Sequence, residues 1–237
     1  MDKNTNYFYY LISMRLSVLH LIFICVATAI FVVFVFITWQ GKNEQIKALN
    51  KEILAEQVKI AEIEKQGEKV LTLFRISKGL DILSKKKLPE EHKSILAQKL
   101  FAISTDYKID PILILAVIKH ESKGNPNARG LYSSGGKSGA LGLMQVKYES
   151  ALEVARSVKV KIDSPKDLFD PEKNLMVGTA YLLRLIAKYK NLQHALIAYN
   201  VGIGVLDEKL KSGAPLPKKY YNLIVREYKD LAREIFN

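Results

Sequence analysis

The chain has 237 residues, long enough for one sizeable domain and an appendage, and its formal net charge is +12. An excess of Lys and Arg suits an anionic partner, but these residues are spread along the chain, interleaved with Glu, and no DNA- or RNA-binding motif accompanies them. We therefore expect no nucleic-acid partner. The single cysteine, Cys25, excludes an intrachain disulfide.

After an N-terminal tail of residues 1–15, residues 16–39 are apolar and contain no Asp, Glu, Lys or Arg. At about 1.5 Å per residue, a helix of this length crosses a hydrocarbon core of about 30 Å. Trp39 ends the segment, as an interfacial aromatic residue would. A cleaved signal peptide is the alternative, but the apolar run continues well beyond Ala27–Ala29, which could pass as a cleavage site. The pattern favours an uncleaved single-pass transmembrane anchor.

Basic residues give a weak signal for the orientation of this anchor. Lys3 and Arg15 precede it, whereas a larger group of lysines follows it, namely Lys42, Lys47, Lys51 and Lys59. Counted alone, these residues mildly favour a cytoplasmic location for the C-terminal part. The charge count by itself does not fix the topology.

Residues 40–88 are predicted to form a helical stalk. Apolar residues follow a heptad pattern there, which Glu56 and Gly67 interrupt. The pattern fits an amphipathic stalk that packs on its own protein, and it also fits a short coiled coil that dimerises. A charge run and Pro89 mark the predicted boundary with the next domain. The heptad positions are Ile46, Leu49, Ile53, Ile60, Ile63 and Val70.

Residues 89–237 are predicted to form one domain that is mainly all-α. Helical periodicity recurs through it, and clear strand alternation is absent. Asp110 followed by Pro111 is typical of a helix N-cap and first turn, and Asp170 with Pro171 repeats that signal. The glycine-rich stretch between two of these helices leaves room for a short β-hairpin.

Glu121 lies at the C-terminal end of an apolar helical segment, residues 111–118. Its neighbours on the helix surface, at three, four and seven places earlier, are hydrocarbon side chains: Ile118, Val117 and Ile114. Desolvation by these side chains disfavours a charged carboxylate, and so does the negative end of the helix dipole. We therefore expect a raised pKa, which is the property a general acid needs near neutral pH.

An ordinary glycosidase uses two carboxyl groups, and the sequence offers no evident partner for Glu121. Asp170 is better explained as a helix cap, and the other later acids lie outside any glycine-rich or aromatic setting typical of a cleft. A single acid suits a reaction in which the substrate supplies its own nucleophile. The later acids considered are Glu149, Glu153, Asp163, Asp167, Asp170 and Glu172.

Four segments, in this order, resemble lytic transglycosylases of the soluble-lytic-transglycosylase type, which are relatives of goose-type lysozyme. The resemblance covers about residues 95–232, and it leaves out the anchor and the stalk. A weaker match near the end of the chain places the family's late tyrosine at Tyr221, with Tyr220 as the alternative. The four segments are Glu121–Ala128, Ser138–Val146, Asp167–Leu182 and Ala195–Gly204.

The resemblance implies a lysozyme-like helical domain with a glycan cleft, and no metal or cofactor. It implies cleavage of the β-1,4 bond between N-acetylmuramic acid and N-acetylglucosamine, with Glu121 acting first as acid and then as base. The muramic acid 6-hydroxyl closes onto C1 and leaves a 1,6-anhydro end. Because peptidoglycan lies outside the cytoplasmic membrane, we expect residues 16–39 to lie in that inner membrane and the domain to be periplasmic.

By the same resemblance, seven residues are expected to bind the glycan. Two serines are expected to hydrogen-bond near Glu121 and the sugar, and the others are expected to line the two walls of the cleft. For Met144, a place in the hydrophobic core fits better than a ligand contact. The seven residues are Ser122, Ser138, Met144, Gln145, Tyr199, Asn200 and Tyr221.

The chain departs from the family in the stretch between Glu121 and Gly139, which is longer than the usual spacing. Residues 130–138 hold the extra length, and their glycines permit either a mobile lid or a tolerated surface insertion. Two other functions fit the same sequence: a peptidoglycan hydrolase on this fold, and an inactive glycan-binding scaffold subunit of an envelope-spanning machine. The partners expected are therefore peptidoglycan strands, the cytoplasmic membrane and, on the last reading, envelope machinery.

Overall fold

The computed structural model describes residues 3–84, 88–131 and 136–237, with side chains from residue 14 onward. The chain divides into two compact units, Met1–Gln66 and Gly67–Asn237. Helix α1 (Lys3–Ser84) contributes its first part to one unit and its last part to the other.

The first unit consists of the N-terminal part of α1. Among the residues that the structure describes, α1 is the one helix long and apolar enough to cross a membrane, with a mean hydropathy of 3.0 over its most apolar window. The apolar side chains of residues 16–39 are exposed within the chain; Phe23, for example, is 72% exposed. Length and composition thus agree with the predicted anchor, although a signal sequence would show the same features.

The predicted stalk is helical, and its heptad positions are exposed, from 47% at Ile53 to 69% at Ile63. Its C-terminal boundary differs from the prediction, because the second compact unit begins at Gly67 and not near residue 89. The reason is an apolar stripe in the last turns of α1, where Ile76, Leu80 and Leu83 are buried.

The second unit is mainly helical, as predicted, with a small antiparallel sheet in which the strands β1 (Arg129–Leu131), β2 (Lys137–Leu141) and β3 (Val146–Lys147) lie side by side in that order. The suggested hairpin is confirmed by the pairing of β1 with β2, whereas β3 was not predicted. The helices are α2 (Glu90–Tyr107), α3 (Pro111–Ser122), α4 (Tyr148–Ala155), a 3-10 helix (Pro165–Phe169), α5 (Pro171–Tyr189), α6 (Leu192–Val201), α7 (Ile203–Ser212) and α8 (Lys219–Phe236).

Helix α3 lies at the centre of this unit. Its residues from Ile114 to Ile118 are at most 1% exposed, and α8 packs along it. The predicted cap is present, because the Ile112 amide donates to Asp110 Oδ1 at 2.8 Å. Asp170 caps α5 in the same way. The buried α3 therefore holds its C-terminal end, and Glu121 with it, in a fixed place.

Candidate active site

A cavity of about 560 Å³ opens beside the C-terminal end of α3. The sheet forms one wall, and the end of α6 and the facing side of α5 form the other. Glu121 is its only carboxyl group among the described residues. The lining residues are Glu121, Ala128, Arg129, Gly130, Leu131, Ser138, Ala140, Gln145, Val146, Lys147, Ser150, Tyr181, Tyr199, Asn200, Val201 and Gly202.

Glu121 is half-buried and is the last residue but one of α3. Burial raises the pKa of Glu121 to about 7, and a hydrogen bond from the Tyr220 hydroxyl opposes that rise. The Tyr220 oxygen lies 2.5 Å from Glu121 Oε1. The pKa of Glu121 is therefore raised, as expected from the apolar helix, because burial raises it more than the hydrogen bond lowers it.

The late tyrosine that reaches Glu121 is Tyr220, whereas the sequence match favoured Tyr221. Tyr220 is 5% exposed, and its ring meets His120 edge-on with centroids 5.2 Å apart. Tyr221 is half-buried, packs against the hydrophobic core and is absent from the lining of the cavity. Adjacent residues of a helix point about 100° apart, so only one of the two can face Glu121.

Tyr199 lies in the cavity wall, but its hydroxyl forms its hydrogen bond with a backbone carbonyl and not with Glu121. It donates to the Met144 carbonyl at 2.8 Å. Burial, and then the proximity of Glu121, holds the pKa of Tyr199 well above its usual range. Tyr181 packs against this ring with centroids 5.7 Å apart and also lines the cavity. Tyr181 was not predicted, although it falls within the matched segment 167–182.

The turn from Leu141 to Gln145 is held by a buried amide, Asn174 of α5. Asn174 is fully buried, accepts from the Met144 amide at 2.8 Å, and donates to the carbonyls of Leu141 and Leu168, each at 2.8 Å. Sequence analysis missed this residue. A polar side chain on the apolar face of a predicted helix is the signal that could have found it.

Gly142 allows this turn to lie directly on Asn174. Its φ is +76°, a left-handed conformation that favours glycine. A Cβ at this position would stand 2.1 Å from the Leu168 carbonyl oxygen and 2.2 Å from Asn174 Nδ2. The close approach leaves no room for any other residue, so the turn and the amide form one unit.

Gln145 presents its side chain to the cavity, as predicted. Its backbone φ is +49°, and its Nε2 donates to the carbonyls of Ala128 at 3.1 Å and Gly142 at 2.9 Å. Ser138 also lines the cavity, where its hydroxyl accepts from the Ala140 amide at 3.3 Å. Both side chains are thus fixed by the backbone around them before any ligand binds.

Besides Tyr221, two predicted binding residues, Ser122 and Met144, lie outside the cavity lining. The Ser122 hydroxyl is buried and donates within its own helix to the Ile118 carbonyl at 3.2 Å. The Met144 side chain is fully buried, with the Thr179 hydroxyl 3.6 Å from its sulfur. The turn directs Met144 into the core and Gln145 outward, so Met144 contributes to the site only through its carbonyl.

The remaining predicted residue of this wall, Asn200, is exposed and lines the cavity at the end of α6. Gly202 ends that helix with a φ of +90°. Among the residues from 14 onward that the structure describes, no group of three or more His, Cys, Asp or Glu is placed to hold a metal ion.

The longer stretch between Glu121 and Gly139 forms part of the cavity wall through β1 and β2. A Cβ on Gly130 would stand 2.2 Å from Ser138 Oγ and 2.9 Å from Gln145 Oε1, so glycine lets β1 pack against both predicted binding residues. The middle of the predicted extension, residues 132–135, lies outside the described residues.

Residues 99–222 match the family described as the transglycosylase SLT domain. The chain belongs to this family. It is 34% identical over 127 residues to the membrane-bound lytic murein transglycosylase E of Buchnera aphidicola, covering 50% of this chain and 53% of that protein. It is 36% identical over 144 residues to the membrane-bound lytic murein transglycosylase C of Pectobacterium atrosepticum, covering 56% of this chain and 36% of that protein.

Among solved structures, the 70 kDa soluble lytic transglycosylase of Escherichia coli aligns with a TM-score of 0.40 and 22% identity, covering 62% of this chain and 24% of that one. The chain spans about half the length, or less, of the curated relatives it matches. The SLT domain match includes every residue that lines the cavity, as well as Tyr220 and Asn174. It begins within α2, so α1 lies outside the matched region.

Proposed function

We propose that this SLT-domain protein is a membrane-anchored peptidoglycan lytic transglycosylase that cleaves the β-1,4 bond between N-acetylmuramic acid and N-acetylglucosamine without water. The observation that carries the proposal is the site's one carboxyl group. Among the described residues, the cavity holds a single acid, Glu121, with a pKa of about 7. One group that is half protonated near neutral pH can both give and take a proton.

The proposed reaction uses Glu121 twice. The neutral carboxyl first donates its proton to the glycosidic oxygen, and the bond between that oxygen and muramic acid C1 breaks. The carboxylate then accepts the proton of the C6 hydroxyl while the C6 oxygen bonds to C1. The products are a free 4-hydroxyl on the N-acetylglucosamine side and a 1,6-anhydro ring on the muramic acid side. Glu121 is protonated again, and no water is consumed.

The absence of a second carboxyl from the described lining supports this reaction over hydrolysis. An ordinary inverting or retaining hydrolase uses a second acid, either to activate water or to attack C1. Here the substrate's own hydroxyl takes that role. Tyr220 would keep the carboxyl pointing into the cleft through its hydrogen bond of 2.5 Å. Tyr199 would shape the wall beside it.

We further propose that the glycan contacts Tyr181 and the predicted binding residues whose side chains line the cavity. Because it packs against Tyr199 and lines the cavity, Tyr181 offers an aromatic surface to a sugar ring. The predicted contacts kept in this proposal are Ser138, Gln145, Tyr199 and Asn200.

The names of the membrane-bound relatives and the apolar helix α1 support anchoring in a membrane. We place residues 16–39 in the cytoplasmic membrane and the SLT domain on the periplasmic side, where the proposed substrate lies. The formal net charge of +12 suits a polyanionic cell wall. A reporter protein that is active only in the cytoplasm, fused at residue 45, tests this placement. Activity of that fusion would contradict it.

The test of the reaction is digestion of purified peptidoglycan by the detergent-solubilised full chain, with mass spectrometry of the products. We expect 1,6-anhydro ends from the wild type and none from Glu121→Gln, which keeps the side chain's size but cannot transfer a proton. Reducing ends would instead identify a hydrolase. Unchanged glycan with a folded wild-type chain would favour the glycan-binding scaffold subunit of an envelope-spanning machine.

A further inference from the structure

The last turns of α1 are part of the hydrophobic core of the second unit, although they lie outside the matched SLT domain. Ile76, Leu80 and Leu83 are 1%, 2% and 4% exposed. Their spacing of four and three residues places them on one face of the helix. This face therefore packs against the domain along three successive turns.

Helix α1 approaches α3 closely at Gly79. A Cβ on Gly79 would stand 2.6 Å from Leu115 Cδ1 and 3.1 Å from Ile235 Cδ1. Leu115 belongs to α3 and is fully buried, so its side chain has packed neighbours on its other sides. The glycine thus lets the backbone of α1 rest on the Leu115 side chain of the helix that carries Glu121.

A second contact lies three residues beyond Glu121, in the turn that ends α3. Gly124 has a φ of +70°, and a Cβ there would stand 3.0 Å from both the carbonyl carbon and the oxygen of Leu83 and 3.1 Å from Ser84 Cα. The backbone of the turn therefore lies against the backbone at the end of α1. Unlike a side chain, this backbone has no rotamer that could relieve a clash.

We propose that the C-terminal segment of α1, residues 67–84, is a positioning element for Glu121. It supports α3 at two positions, through Leu115 in the middle of the helix and through Gly124 just after its end. The carboxyl must stay within hydrogen-bond distance of Tyr220, so a small displacement of the end of α3 changes both its orientation and its pKa. This inference rests on the proposed function for its kinetic test.

Two glycines offer a matched comparison. Gly124 and Gly213 both follow a helix and have nearly the same φ, +70° and +68°, but a Cβ on Gly213 would meet nothing within 4 Å. Because the two φ values are nearly equal, alanine introduces a similar left-handed backbone strain at both positions. Only Gly124→Ala also pushes the turn away from α1. The difference between the two variants therefore isolates the contact with α1.

The experiment compares Gly124→Ala and Gly213→Ala in the detergent-solubilised full chain, at a temperature where both are folded by circular dichroism. We expect kcat for release of anhydro ends to fall on the order of tenfold in Gly124→Ala, with KM unchanged, and neither to change in Gly213→Ala. A longer hydrogen bond between the Tyr220 hydroxyl and Glu121 would also raise the pKa of Glu121. The alkaline limb of the pH profile should therefore move to higher pH in Gly124→Ala alone.

A second pair covers the case in which Gly124→Ala fails to fold. Gly79→Ala presses on Leu115, whereas Gly67→Ala, in the same helix, meets nothing within 4 Å. We expect a severalfold loss of kcat for the first and none for the second. Equal kcat and equal pH profiles within the pair that folds would overturn the inference.

The proposed function and this inference can fail separately. If the wild-type chain forms no anhydro ends, the proposed function fails, and the inference is then decided by titrating the Glu121 carboxyl in the same variants by ¹³C NMR. A higher pKa in Gly124→Ala than in Gly213→Ala would support the positioning role, and equal values would refute it. If anhydro ends form and the two variants agree, only the inference fails.

Discussion

Replacing Tyr220 with Phe is expected to move the alkaline limb of the activity profile to higher pH. The Tyr220 hydroxyl donates to Glu121 and favours its charged form, so it holds the pKa of that carboxyl below the value that burial alone would give. Removing the hydroxyl leaves burial unopposed, and the pKa rises. A general acid works in its protonated form, so the variant should keep that form to a higher pH.

The size of this shift follows from the strength of one charge-assisted hydrogen bond. Such a bond contributes about 1.5–3 kcal/mol, and one pKa unit corresponds to about 1.4 kcal/mol. Glu121 is only half-buried, so water can partly replace the lost donor, and the lower end of that range applies. We expect the midpoint in kcat/KM to move from about 7 in the wild type by roughly one pKa unit.

The assay is the pH dependence of kcat/KM for release of anhydro ends, measured for the wild type and Tyr220→Phe. Tyr228→Phe is a matched control, because Tyr228 lies on the same helix and donates to Asp110 Oδ2, also at 2.5 Å. It loses a bond of the same kind, but far along α8 from Glu121. If the midpoint stays at the wild-type value in Tyr220→Phe, or moves as much in Tyr228→Phe, the reasoning is refuted.

Three further predictions concern stability and the turn. Folding raises the pKa of Glu121 from 4.5 to about 7, so the carboxyl reduces stability as pH rises from about 4.5 to 7. Glu121→Gln should therefore be more stable than the wild type by about 3 kcal/mol at pH 8, and nearly equal at pH 4, in denaturant unfolding. Asn174→Leu removes the side-chain partner of the Met144 amide and of the Leu141 and Leu168 carbonyls, and it should cost about 3 kcal/mol in the same measurement. Asn191→Leu, which removes an exposed cap, should cost about 1 kcal/mol. Gly142→Ala should lower the unfolding temperature more than Gly139→Ala, which has a similar φ of +79° but open space around its Cβ; equal shifts would show that Asn174 and the turn are not in contact.

The position and the pKa of Glu121 could be predicted from sequence because both depend on local pattern. An apolar run fixes the burial of α3, and helical spacing fixes which side chains surround the carboxyl. The family motifs located the lining residues Gln145 and Asn200 for the same reason, since each lies within a short contiguous segment. The sheet was only partly predictable, because β3 is two residues long and carries no alternation.

The choice between Tyr220 and Tyr221 was missed because a motif match does not set the rotation of a helix. The structure shows that Tyr220, Ile224, Leu231 and Ile235 are the buried residues of α8, spaced by four, seven and four residues. This stripe was present in the sequence, and Tyr221 lies off it. Weighting the helical period above the motif alignment would have placed Tyr220 beside Glu121.

The domain boundary was misplaced for a different reason. A charge run followed by Pro89 is typical of a linker, and it outweighed the apolar stripe of Ile76, Leu80 and Leu83. The position of Asn174 on an apolar helix face could have been noticed, but its partners could not be predicted, because they are chiefly backbone atoms from a turn about thirty residues earlier in the chain. Such contacts depend on how distant segments fold onto each other, and composition or periodicity does not reveal them.

In the proposed reaction, a single group must be a good acid before the bond breaks and an adequate base afterwards, and this requirement sets limits on its pKa. At an unperturbed value near 4.5, only about one Glu side chain in 300 would be protonated at pH 7, and the first step would slow accordingly. At a value far above 7, the carboxylate would hold a proton well, but little of the driving force for the first transfer would remain. Burial raises the pKa of Glu121 and the hydrogen bond from Tyr220 lowers it, so the pKa of about 7 is a balance between the two effects. Tyr220→Phe should therefore lower kcat even while the active pH range widens. The carboxyl loses the hydrogen bond that orients it, and its pKa rises above the value of about 7.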